Sequence, residues 1–176
     1  ANVRARLSSK QTLIGFCGAP WTVASYMIEG SSSKRQKALA AALENQQWFS
    51  LLLERLVTTS TDYLLGQIAA GAETVQIFDS WAGSLPEDQF DRWVIAPTKR
   101  LVGEIKKLHP GLPIIGFPRG AGGLVLDYAE KTGVQAVGLD TAQPLKRINA
   151  LLPKGMAVQG NLDPLRLVAG GPDLET

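Results

Sequence analysis

The chain has 176 residues, the size of one domain and enough to bury a substantial core. Hydrophobic residues at 45% against 19% charged exclude a disordered chain. A net charge of +2, with no arginine-rich run, excludes the electrostatic footprint of a nucleic-acid binder.

Cys17 is the only cysteine, so an internal disulfide framework is excluded and a reducing compartment is expected. No apolar run is long enough for a signal peptide or a membrane span. A cytoplasmic protein without membrane or nucleic-acid partners is the expectation. The sequence starts at Ala1 and stops inside an apparent helix start, "VAGGPDLET", so it is expected to be a piece of a longer protein.

Taken in chain order, the first element is an apolar strand, "TLIGF" at 12–16, followed by a glycine-bounded bend and a helix opening at Pro20. Residues 33–43 predict a second helix capped by Ser33, and 44–70 a long third one with Trp48, Leu52, Leu56 and Tyr63 at three- and four-residue spacing. "TVQIF" (74–78) is the next strand. Residues 86–108 predict a helix with Pro86 and acidic residues in its first turn and Lys106 and Lys107 in its last, before "HPG". "PIIGF" (113–117), "AVGL" (136–139) and "MAVQG" (156–160) are further strands, separated by short helices at 122–131 and 142–152.

None of the five strands alternates with period two, so all are expected to be buried on both faces, as in a parallel sheet. Strand and helix in alternation give an α/β fold of βαβ units. These units fit either an open doubly wound sheet or part of a closed barrel. A complete eight-unit barrel needs about 250 residues, so five units would make most of a barrel but not a closed one.

Polar residues follow the strands: Asp79-Ser80, Arg119, Asp140, and Asn161-Leu162-Asp163. In a parallel α/β fold these exits share one edge, where ligands bind. Each taken singly reads as a cap or turn residue, and Asp163 before Pro164 reads as a helix cap; four together point to a site. "GFCGAP" and "RGAGG" match no phosphate-loop pattern. Gly15 and Gly18 instead admit a close backbone approach, to a ligand or within a turn.

His109, the only histidine, falls at a helix end away from the exits, and with one His and one Cys no zinc set is expected; metal ligands and cofactors are none. Tyr26 lies in the helix that opens beside the exits. Its default reading is a core aromatic, and its place in the first turns of that helix also allows a hydroxyl that faces a ligand.

Together, "GFCGAPWTVASYMIEGSSSK" (15–34), "VQIFDSWAGSL" (75–85), "VGLD" (137–140) and "VQGNLDP" (158–164) resemble the uroporphyrinogen decarboxylase family in order and spacing over about the whole chain. The resemblance implies an incomplete (β/α)8, TIM-type barrel of about five βα units, with residues 1–176 the middle-to-late part of a single barrel domain. It implies decarboxylation of the four acetate side chains of uroporphyrinogen, in tetrapyrrole biosynthesis, by a cofactor-free carboxy-lyase that is a homodimer when intact. In that chemistry a protonated pyrrole accepts the electrons released as carbon dioxide leaves. By the same resemblance Tyr26 and Ser80 are polar substrate contacts, and Phe16 and Phe78 are apolar cleft walls.

The family's Arg-rich motif, essential aspartate and C-terminal histidine motif have no counterpart here. No catalytic residue is therefore assigned within the chain, and the chain alone is expected to be inactive. Thr141 departs from the tryptophan common after "GLD". A corrinoid-dependent methyltransferase paralogue is disfavoured because no His or Cys follows His109, and the long cleft motifs argue against a non-catalytic α/β binding module.

Overall fold

A computed structural model describes residues 2–30 and 35–174. Five parallel strands form one sheet: β1 (Ile14–Gly18), β2 (Thr74–Asp79), β3 (Ile114–Pro118), β4 (Ala136–Gly138) and β5 (Ala157–Gln159). Their spatial order is the chain order, β1-β2-β3-β4-β5. A doubly wound sheet reverses its strand order at a switch point, whereas sequential order keeps every crossover helix on one side. The sheet is therefore an arc of a TIM-type barrel, and the doubly wound alternative is excluded.

The crossovers are α1 (Pro20–Glu29), α2 (Gln36–Glu44) and α3 (Gln46–Ala69) between β1 and β2, then α4 (Glu87–Phe90) and α5 (Ala96–Leu108) before β3. α6 (Val125–Thr132) and α7 (Leu145–Leu151) flank β4, and α8 (Pro164–Ala169) follows β5. Pro20 opens α1 at a position that lacks an intrahelical N–H partner anyway, and Gly30, at φ 68°, closes it by donating to the Tyr26 carbonyl. Asn45 caps α3 by accepting the Trp48 N–H. The Ser33 cap expected for α2 falls outside the described residues; Arg35, at φ 61°, precedes that helix.

The single helix expected over 86–108 is interrupted by a π turn at Asp91–Ile95. Pro97 has no N–H to donate to the preceding turn, and the widened turn accommodates that gap.

Burial follows strand parity in β1 and β3, whereas in β2 Thr74 and Gln76 are buried as well as Val75 and Ile77. Gly15, Cys17, Val75, Ile77, Ile114, Gly116 and Val137 face the helices and are buried. Behind them Trp21, Phe49 and Trp93 stack edge to face at 5.7 and 5.0 Å, joining α1, α3 and the π turn. The opposite face is open at β1, where Phe16 is 57% exposed and Ile14 43%. The expectation of strands buried on both faces thus fails for β1. Both faces are apolar in composition, but helices cover only one.

Candidate functional site

Parallel pairing with Phe78 opposite Phe117 and Gly18 opposite Phe78 sets the phenylalanines of three strands on the open face. Phe16 meets Phe78 edge to face at 6.0 Å, and Phe78 meets Phe117 at 6.1 Å. The structure thus brings the two expected wall residues, Phe16 and Phe78, into contact. It adds Phe117, which sequence reasoning missed although "PIIGF" repeats the parity of "TVQIF". Gly138 of β4 makes room for that ring: a Cβ there would lie 2.6 Å from Phe117 Cδ2.

Ser80, half-buried, follows β2 and continues the parity of Gln76 and Phe78. Tyr26, 49% exposed on α1, packs edge-on against Trp81, the residue after Ser80, with centroids 6.4 Å apart. Arg35 completes this corner. Its side chain is fully buried, with the guanidinium 3.9 Å from the Trp81 ring centroid and 4.7 Å from that of Tyr26. A cation against two aromatic faces ties α1 to the β2 exit. Sequence reading missed Arg35, and its only signal was a basic pair after a serine run.

Asp79 does not belong to the open face. It shares the parity of Val75 and Ile77 and is fully buried on the helix side. Burial pushes its carboxyl up to about 7, against the opposing influence of the Thr22 hydroxyl and the neighbouring Trp81 N–H. The Thr22 hydroxyl donates to Asp79 Oδ1 at 2.6 Å.

The remaining polar exits brace loops. Asp140 accepts from the Gly120 N–H at 2.7 Å and the Ala142 N–H at 3.0 Å. Asn161 donates to the carbonyls of Asp140 and Gln143. Asp163 caps α8 through the Leu165 N–H, as its sequence position predicts. Arg119 pairs its backbone with Asp79 and Gly83, and its side chain is exposed. Gly83 lets the β2 and β3 exit loops touch, since a Cβ there would collide with the Gly120 backbone. Thr141 opens onto a concavity with Asn161, Asp163 and Arg166, between the β4 and β5 exits.

Tyr128 packs fully buried, but Tyr63 is 58% exposed and lines a concavity at the β1 exit with Phe16 and Val23, so it is no core residue. Cys17 is buried, and desolvation pushes its thiol up to about 12, which removes it as a nucleophile near neutral pH. His109 ends α5, at the edge where β3 begins, away from the exits. A third concavity, between α3 and α5 and lined by Leu53, Val57, Trp93 and Pro97, lies on the helical side of the sheet and shares nothing with the exits.

The family model described as uroporphyrinogen decarboxylase (URO-D) matches residues 1–176. A uroporphyrinogen decarboxylase of Rhizorhabdus wittichii is 51% identical over 175 residues, covering 99% of this chain and 51% of the relative. One of Sphingopyxis alaskensis is 49% identical over 176 residues, covering 99% and 52%. One of Rhodospirillum rubrum is 49% identical over 170 residues, covering 96% and 49%. The chain spans about half the length of these curated relatives.

Proposed function

This chain belongs to the uroporphyrinogen decarboxylase family, and we propose that it forms part of an enzyme converting uroporphyrinogen to coproporphyrinogen. Each of four acetate side chains loses carbon dioxide and gains a proton, leaving a methyl group. The observation that carries the reading is the phenylalanine row Phe16–Phe78–Phe117 beside the Tyr26–Trp81 corner. A wide, flat macrocycle suits such an apolar wall, and hydroxyls at its rim suit the macrocycle's polar edge.

In this reading Phe16 and Phe78 are walls that keep water from the reacting ring, and Tyr26 and Ser80 are substrate contacts. The chain is part of a single barrel domain, which the sequential strand order supports. The assembled enzyme is a cytoplasmic homodimer that takes a small tetrapyrrole and no cofactor. The lone buried cysteine suits a reducing compartment; the dimer follows from the family resemblance. Among the described residues no helix is long and apolar enough to cross a membrane.

The test is product analysis with an enzyme of the relatives' full length that contains these residues. Four equivalents of carbon dioxide and coproporphyrinogen are expected. Methyl transfer to a corrinoid, or tetrapyrrole binding without carbon dioxide release, would replace this reading with one of its rivals.

A further inference from the structure

On the helix side of the β2 exit, polar groups converge on Asp79. Its Oδ1 accepts the Thr22 hydroxyl at 2.6 Å, and that hydroxyl oxygen accepts the Trp81 N–H at 3.2 Å. The Trp21 indole N–H donates to the Trp81 carbonyl at 3.0 Å. Trp21 and Thr22, in the first turn of α1, thereby grip Trp81 through both its backbone N–H and its C=O. Asp79 Oδ2 is buried with no hydrogen-bond partner among the described residues, so the Thr22 hydroxyl is the side-chain donor that holds this carboxyl.

The register gives this cluster its reach. Thr22 and Tyr26 are four residues apart on α1 and so share one face, a turn apart. Asp79 and Trp81 are the two residues that flank Ser80. The Thr22–Asp79–Trp81 contacts thus join the helix face that carries Tyr26 to the backbone on both sides of Ser80. A buried carboxyl is costly at a register where Val75 and Ile77 pack apolar side chains, so a simple packing role would be better served by another aliphatic residue.

We propose that Asp79 is a positioning residue: by accepting the Thr22 hydroxyl it fixes where the Tyr26 and Ser80 hydroxyls stand relative to each other. The proposal rests on the reading of Tyr26 and Ser80 as substrate contacts.

The test uses an enzyme of the relatives' full length. Thr22→Val, nearly isosteric, removes the bond and should lower kcat/KM by about tenfold, because displaced contacts lose alignment in the transition state. Thr22→Ser keeps the hydroxyl and should restore it to within about twofold. In a Tyr26→Phe/Ser80→Ala background, Thr22→Val should add nothing, since the groups it positions are gone. A Thr22→Val loss that persists undiminished in that background would assign Thr22 and Asp79 to general stability and overturn the proposal. So would a wild-type kcat/KM for Thr22→Val where Tyr26→Phe alone is impaired.

If Tyr26→Phe and Ser80→Ala are both without effect, the substrate-contact reading fails instead. The clamp is then judged by the Trp21 indole N–H resonance: a shift in Thr22→Val supports it, and an unmoved signal overturns it.

Discussion

The Gln67 carboxamide brackets the backbone of Phe16: its Oε1 accepts the Phe16 N–H at 2.8 Å and its Nε2 donates to the Phe16 carbonyl at 2.9 Å. β1 pairs only with β2, so these groups point to the free edge of the sheet, and a side chain of α3 stands where a neighbouring strand would. Gly15 makes the approach feasible, because a Cβ there would lie 2.8 Å from Gln67 Oε1. Gln67→Leu should destabilise this chain by about 1–2 kcal/mol, at roughly 1 kcal/mol or less for each partly exposed hydrogen bond. It should also raise self-association by uncovering the edge. Urea denaturation and light scattering check both parts, and wild-type behaviour in both would show that the bracket contributes nothing.

Asp79 sets a pH dependence of stability. Its folded-state pKa, about 7, lies above the unfolded value near 3.8, so the folded state holds a proton that the unfolded state has released between these pH values. Stability from this group therefore falls as pH rises from about 4 to about 7 and stays lowered above it. The full penalty is on the order of 4 kcal/mol. Asp79→Asn, uncharged at every pH, should match wild type at pH 4 and exceed it at pH 8. Denaturation midpoints of the two proteins across that range test this, and a constant difference between them would contradict it.

Tyr128 occupies the space above Gly116, and a Cβ on Gly116 would lie 2.6 Å from its hydroxyl. Both are buried between β3 and α6, with no freedom for the ring to withdraw. Gly116→Ala should cost about 1–3 kcal/mol by overpacking. A thermal midpoint equal to wild type would mean that the ring relaxes more easily than its burial implies.

The five strands, their order of appearance and the Pro20 helix start are legible in the sequence because apolar runs between Gly and Pro carry a strong local signal. Strand parity sets the buried acid apart from its neighbours, since Val75, Ile77 and Asp79 alternate with Gln76, Phe78 and Ser80. Phe16 could not be assigned as exposed, since an apolar residue gives the same signal whether or not something covers it. Gln67 and Arg35 act across 51 and 46 residues of sequence, on Phe16 and Trp81 respectively, and no local pattern encodes such partners.

β1 and β5 are the two ends of the sheet and do not pair, so the phenylalanine face stays open to solvent in this chain. Stabilisation of charge in a transition state is strongest where water is excluded. The 176 residues alone are therefore expected not to release carbon dioxide from uroporphyrinogen. Turnover by a purified sample shown free of longer enzyme would refute this.

The Tyr26 hydroxyl gives the sharpest test of the site. Tyr26→Phe keeps the ring that packs on Trp81 and beside Arg35, so it removes the hydroxyl with little change to the corner around it. If that hydroxyl bonds a charged group of the substrate or of the enzyme, its loss is worth about 1.5–3 kcal/mol. In an enzyme of the relatives' full length, kcat/KM should then fall by roughly ten- to a hundredfold while the thermal midpoint stays put. Tyr63→Phe supplies the control. That residue, on α3, is more than half exposed and lines the concavity with Phe16, which includes neither Ser80 nor Trp81. Removing its hydroxyl should leave kcat/KM within about twofold of wild type, the range expected where no bond to a charged group is lost. Equal losses in the two variants would show that the effect is not particular to Tyr26, and an unchanged Tyr26→Phe would remove Tyr26 from the site.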